Sequence, residues 1–280
     1  MVLRLLLLSL FLHSGTQTAR AEVPDPRLKE AFYFLSQTKT GAAELARADA
    51  LKIPILMGRV SRTDITATRF FQGDEESLKF KTEVVVAEGK DPVFQALDLA
   101  HELVHATQPK NNPFDPSLDL TTYLKRGIEG SGGEADAIAQ ECRVGQELIE
   151  GPAKSQLKVE TVQLIVARCQ FVWKTAEDEV KWRQSFYFLG QHYRDFLKSV
   201  TQMNLSEEKK EAWFKKVDTR SPMFASAVAH KPYPLALLEE YVDITTKICE
   251  KTKAARSGRV IATLALLTER CNSVGVSLIP

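Results

Sequence analysis

The chain has 280 residues, enough to bury a sizeable core in one large or two small domains. Basic and acidic side chains nearly cancel, 37 against 36, for a net charge of +1. No basic field exists to draw in nucleic acid or an anionic lipid surface, so the composition excludes those partner classes.

Met1 to Ala21 reads as a secretory signal peptide. Arg4 supplies the positive start, Leu5 to Leu12 the apolar core, and Ala19-Arg20-Ala21 the small-x-small cleavage site. The apolar run is about half the length a membrane span needs. The expected mature chain begins near Glu22 and is secreted or periplasmic, with no membrane attachment after cleavage. Losing Arg4 and Arg20 takes the 37 basic residues to 35 against 36 acidic, a net charge of −1.

Residues 26 to 50 have helical character, with Leu28, Phe32 and Leu35 on one face and Gly41 expected to break the run. The pattern then changes. Ile53 to Met57, Thr66 to Phe71 and Thr82 to Ala87 are β-branched or aromatic and bounded by Gly, Asp or Ser, which predicts strands. A small sheet offers an edge along which an extended peptide can pair.

Gly89-Lys90-Asp91-Pro92 leads into a predicted helix running to about Gln108, with proline at its first position. Val93, Leu97, Ala100 and Val104 form one apolar row, and Pro92, Ala96, Leu99, Leu103 and Ala106 a second. A helix apolar around most of its circumference is buried. Against that background His101-Glu102-Leu103-Val104-His105 is an H-E-x-x-H motif. Residues four apart lie one turn above each other on one helix face, so both imidazoles can aim at one ion. Burying two imidazoles and a carboxylate is costly unless something pairs with them, and a zinc ion does so. Glu102, angled beside the same point, is the candidate general base for activating a water molecule.

A third ligand is expected downstream of the Pro/Asn/Asp-rich loop from Pro109 to Asp119. Gly130-Ser131-Gly132-Gly133 precedes the Ala-rich run Glu134-Ala-Asp-Ala-Ile-Ala-Gln-Glu141. The pattern predicts a helix capped by Ser131 or Gly132, with acids favoured in its first turn. Glu134 is the candidate metal ligand. Glu141 shares its face by the three-and-four rule and is the rival ligand, or an acid standing behind one.

The motif plus a glutamate on a later helix resembles the gluzincin branch of the zincin metallopeptidases, and the Glu134–Glu141 run is similar to the second helix of ImmA-type zincins. The resemblance covers about residues 50 to 150. It implies His101, His105 and Glu134 as ligands of one zinc ion per chain and Glu102 as general base. It also implies hydrolysis of a peptide or protein substrate. The metzincin pattern with a third histidine is disfavoured, since Gln108 and Asn111 occupy that region.

Beyond residue 150 the chain reads as helical. Gly151-Pro152 closes the Glu134 helix, and Lys158 to Trp173 forms the next. A capping box at Thr175–Asp178 opens an aromatic-rich helix from Trp182 to Phe196, and Ser206 to Val217 is a short charged helix. Helices are expected from Pro234 to about Lys253 and from Gly258 to Cys271. His230 and Tyr233, in a Pro-containing loop, are the candidate stabilisers of a tetrahedral oxyanion, with His192 and Tyr123 as others. The four cysteines, Cys142, Cys169, Cys249 and Cys271, suggest two disulfides in an exported protein. The simplest pairing joins consecutive helices, 142 with 169 and 249 with 271.

The expected architecture is α+β and mostly α. A zincin-like core over residues 22–150, with a small sheet on the motif helix, is followed by a helical region over residues 151–280. The expected activity is that of a zinc metallopeptidase. Two other classes fit the same sequence: an exported, non-catalytic binding protein with a structural or vestigial metal, and a helical interaction protein.

Overall fold

The computed structural model describes residues 25–72, 75–108, 112–175, 233–255 and 264–278. The expected signal peptide, the aromatic-rich and short charged helices, His192 and His230 lie outside these residues. For Tyr233 only the backbone is described, as the first residue of a helix. The described chain is α+β and mostly helical, with one three-stranded sheet.

Asp25 caps a short 3-10 turn, its carboxylate accepting from Arg27 N at 3.0 Å, and the turn feeds helix α1 (Lys29–Ser36). The helical run breaks at Gln37 and Thr38, not at Gly41. Thr38 caps α2 (Lys39–Ala50) by accepting from Gly41 N at 3.0 Å, so Gly41 lies inside the first turn. Its role is close approach: a Cβ there would fall 2.3 Å from Leu35 Cδ1.

Strands β1 (Ile55–Gly58), β2 (Arg62–Gln72) and β3 (Glu75–Ala87) form a sheet in the order β1-β3-β2. β1 runs parallel to β3 with Ile55 opposite Val84, and β2 runs antiparallel to it with Thr63 also opposite Val84. The Val84-Val85-Val86-Ala87 end of β3 is buried, and α3 (Pro92–Thr107) follows directly from it. Asp91 caps α3 by accepting from Val93 N at 2.9 Å, with Pro92 in the first turn as expected.

α3 is the central element. Leu97, Leu99, Ala100 and Leu103 are wholly buried among α1, α2, β3 and α5. Each buried leucine contributes about 1.5–3 kcal/mol of apolar transfer. An all-round apolar helix is stable only with cover on every side, and these neighbours supply it.

Asp119 caps α4 (Leu120–Glu129), a helix absent from the expected elements. α5 (Glu134–Glu150) ends at Gly151, and α6 (Val159–Thr175) packs back along it. In the C-terminal part α7 (Tyr233–Ala255) lies against α4 and against α8 (Leu264–Ser273). Arg270 of α8 donates to Pro113 O at 2.9 Å and Asp115 O at 2.8 Å, and Tyr241 of α7 donates to Leu118 O at 3.1 Å. The C-terminal helices thereby hold the loop that carries the chain from α3 to α4.

Disulfides Cys142–Cys169 and Cys249–Cys271 join α5 to α6 and α7 to α8, the expected pairing. In the chain-entropy account, closing loops of this size stabilises a fold by about 3 kcal/mol each. Such bonds form and persist in oxidising, extracellular surroundings. Among the described residues no helix is long and apolar enough to cross a membrane.

Candidate metal centre

Two adjacent turns of α3 and the first turn of α5 meet at one point. His101 Nε2 and His105 Nε2 stand 3.3 Å apart, and Glu134 Oε2 is 3.5 Å from the first and 3.4 Å from the second. This near-equilateral triangle of donor atoms can hold a metal ion. Three electron-pair donors at such separations repel one another unless they share a cation.

The outer ring nitrogens fix which way each imidazole faces. His105 Nδ1 lies 2.8 Å from Gly132 O. A carbonyl can only accept, so Nδ1 carries the hydrogen and Nε2 presents its lone pair to the triangle. His101 Nδ1 lies 3.2 Å from Glu141 Oε2, and a carboxylate imposes the same tautomer. Glu141 therefore stands behind His101, on the ring edge away from the triangle, while Glu134 completes the triangle.

The local sequence explains the placement. α5 starts one residue later than the expected cap. Neither Ser131 nor Gly132 caps it: Gly133 occupies that position, and Gly132 N donates to Asp136 Oδ2 at 3.0 Å. Ser131 donates instead to Gln108 Oε1 at 3.1 Å. Gly132 adopts φ +73°, a left-handed conformation that costs glycine little. That turn sets its carbonyl on His105 two residues before the chain delivers Glu134.

Electrostatics follow from burial and proximity. Burial disfavours an imidazolium at His101, but Glu134 and then Glu141 outweigh it and raise its pKa well above 6.5. Burial likewise opposes ionisation of Glu134, yet both imidazoles hold its pKa far below the usual carboxylate range. The pocket thus favours positive charge at the triangle.

Glu102, 8 % exposed, sits beside the triangle. Burial raises its carboxyl pKa, against the opposing pull of the His101 and His105 rings and of Thr63. Thr63 Oγ1, from β2, is within hydrogen-bonding reach of Glu102 Oε2 at 2.8 Å and Glu102 O at 2.9 Å. Nothing in the sequence around Thr63 marked it, because its partner is supplied by the sheet packing on α3.

Tyr123 lies near Glu240 of α7 and packs its ring 5.5 Å from that of Tyr241. Burial, with Glu240 beside it, raises the phenol's pKa. Among the described residues the triangle is the one group of three or more His, Cys, Asp or Glu side chains placed to hold a metal ion.

No protein-family model, curated protein or solved structure matches the chain at a significant level.

Proposed function

We propose that this protein is a zinc-dependent peptidase acting in an oxidising, extracytoplasmic setting. The observation that carries the reading is the size of the donor triangle. Tetrahedral zinc with bonds of about 2.0–2.1 Å keeps its ligand atoms about 3.3–3.4 Å apart. The three separations here are 3.3, 3.4 and 3.5 Å. Two neutral imidazoles and one carboxylate are also the ligand chemistry of catalytic zinc, with a fourth position left for water or substrate.

Zinc held there would polarise water and a scissile carbonyl as a Lewis acid. Glu102 takes the proton from the attacking water and delivers it to the departing amine nitrogen. Its burial suits this exchange, because a carboxyl group pushed above its usual range both accepts and releases a proton more readily near neutrality. Thr63 orients the carboxylate. β2 is an outer strand of the sheet and carries Thr63, so a peptide pairing along its outer edge would run past Glu102. That arrangement favours an extended chain as substrate.

Glu102→Gln keeps the shape of the side chain and removes its basicity. The variant should bind zinc as wild type does and lose at least about 100-fold in hydrolysis of an unfolded protein substrate. Equal rates in the two proteins would remove the mechanism and leave a metal-binding protein with another role.

A further inference from the structure

Glu141 is 1 % exposed and uses its two oxygens on two different partners. Oε2 faces His101 Nδ1, while Oε1 is ion-paired with Arg168 Nε of α6. The same guanidinium reaches toward Asp98 of α3, with Nη2 4.0 Å from Asp98 Oδ1. Asp98 is itself buried, bound by Ser61 and Lys90, and lies one turn before His101 on α3. One side chain of α6 therefore bridges α5 to α3 directly behind a metal-binding imidazole.

A covalent bond stands directly beside this ion pair. Cys142 follows Glu141 and Cys169 follows Arg168, and the two sulfurs are joined. Trp173 Nε1 adds a hydrogen bond to Cys142 O at 2.9 Å, and Ile165 packs where Gly145 leaves room. Thr161, Ile165, Cys169 and Val172 form the buried face of α6, while Val159 and Leu164, 68 % and 56 % exposed, lie off it. The cross-link lies on that buried face, immediately next to Arg168, and so pins α6 to α5 at the height of the Glu141 ion pair.

We propose that α6 is a strap on the metal centre. Arg168 is a positioning residue that acts on His101 through Glu141, and the Cys142–Cys169 disulfide holds Arg168 in place. This rests on the reading that His101, His105 and Glu134 bind zinc. The physical argument is asymmetry of cost. Removing the guanidinium leaves a buried carboxylate uncompensated, and that carboxylate then no longer holds the His101 ring at a fixed angle. The Cys249–Cys271 bond lies between α7 and α8, contacts none of these groups, and serves as an internal control.

The test uses the oxidised full-length protein, with zinc as probe and a chromophoric chelator as competitor. Arg168→Met, which leaves the disulfide intact, should bind zinc about tenfold more weakly than wild type. Arg168→Lys should recover part of the loss. Cys142→Ala/Cys169→Ala should match Arg168→Met, and combining all three substitutions should add little, because the two act through one carboxylate. Cys249→Ala/Cys271→Ala should lower the melting temperature and leave zinc affinity unchanged. Wild-type affinity in Arg168→Met overturns the strap, whether or not the cysteine variant folds. An equal loss in Cys249→Ala/Cys271→Ala overturns it too, by tying affinity to global stability. His101→Ala separates the two levels: zinc binding as strong as wild type there removes the metal reading itself, and the strap with it.

Discussion

The two imidazoles of the centre are held by unlike means. His101 leans on side chains: Glu141, then Arg168, then a disulfide between α5 and α6. His105 leans on backbone at its outer nitrogen, the Gly132 carbonyl at 2.8 Å, whose place depends on a glycine at φ +73°. The first support is a graded one, built from charges that can be weakened singly. The second is nearly all-or-none, because the loop cannot be altered without moving the chain. A Cβ on Gly132 would fall 2.4 Å from the Gln108 side chain, and one on Gly133 within 2.9 Å of three carbonyl oxygens.

The difference predicts a hierarchy. Gly132→Val should have the largest effect, since a β-branched residue in the left-handed region is strained and the clash with Gln108 adds to it. Zinc affinity should fall more than 100-fold, with a melting temperature several degrees lower by calorimetry. A variant indistinguishable from wild type in both would mean that the Gly132 carbonyl does not hold the ring. Glu141→Ala comes next. It should cost about 10–100-fold in zinc affinity measured by chelator competition, with Glu134 still in place. No change would show that His101 needs no partner on its outer nitrogen.

Acidity gives the third and gentlest handle, and its two signs are opposite. In the zinc-free chain His101 has a raised pKa, so its interactions stabilise the fold fully below about pH 6.5, the ordinary value. That contribution is lost as pH rises through the raised value. Glu134, whose pKa is depressed, contributes above its ordinary value of 4.5 and loses that contribution only as pH falls through its far lower folded value. Zinc must displace the His101 proton, so apparent zinc affinity should increase with pH by about tenfold per unit below the raised value. Titrations across pH 5 to 8 should therefore show the zinc affinity growing throughout, with the zinc-free protein losing the His101 contribution only above about pH 6.5; affinity flat over that range would contradict a proton-occupied His101.

Local pattern carried much of this into the sequence. His101 and His105 were readable because four residues of helix suffice to align them, and Glu134 because small residues before an acid announce a helix start. The disulfide pairs were readable because consecutive helices are neighbours. Partners chosen by packing were not readable. Arg168 is one of two cations on the predicted Lys158–Trp173 helix, with nothing to tell it from Lys158 until α6 is laid on α5, and Thr63 is one of several threonines in a strand until the sheet meets α3. Gly41 misled because a glycine can serve close packing as well as breakage, and Thr38 was the true cap. The cap at Gly133 was displaced by one residue because the Asp136 carboxylate turns back to Gly132 N. α4 had a usable signal in Asp119 with Leu120, Leu124 and Ile128 on one face, all three buried.

The central claim is that His101, His105 and Glu134 share one ion. Zinc content of the purified chain by elemental analysis, wild type beside His101→Ala and Glu134→Ala, tests it most directly. One zinc per wild-type chain and a large loss in both variants is the predicted result. No zinc in the wild type, or full zinc in either variant, would contradict it.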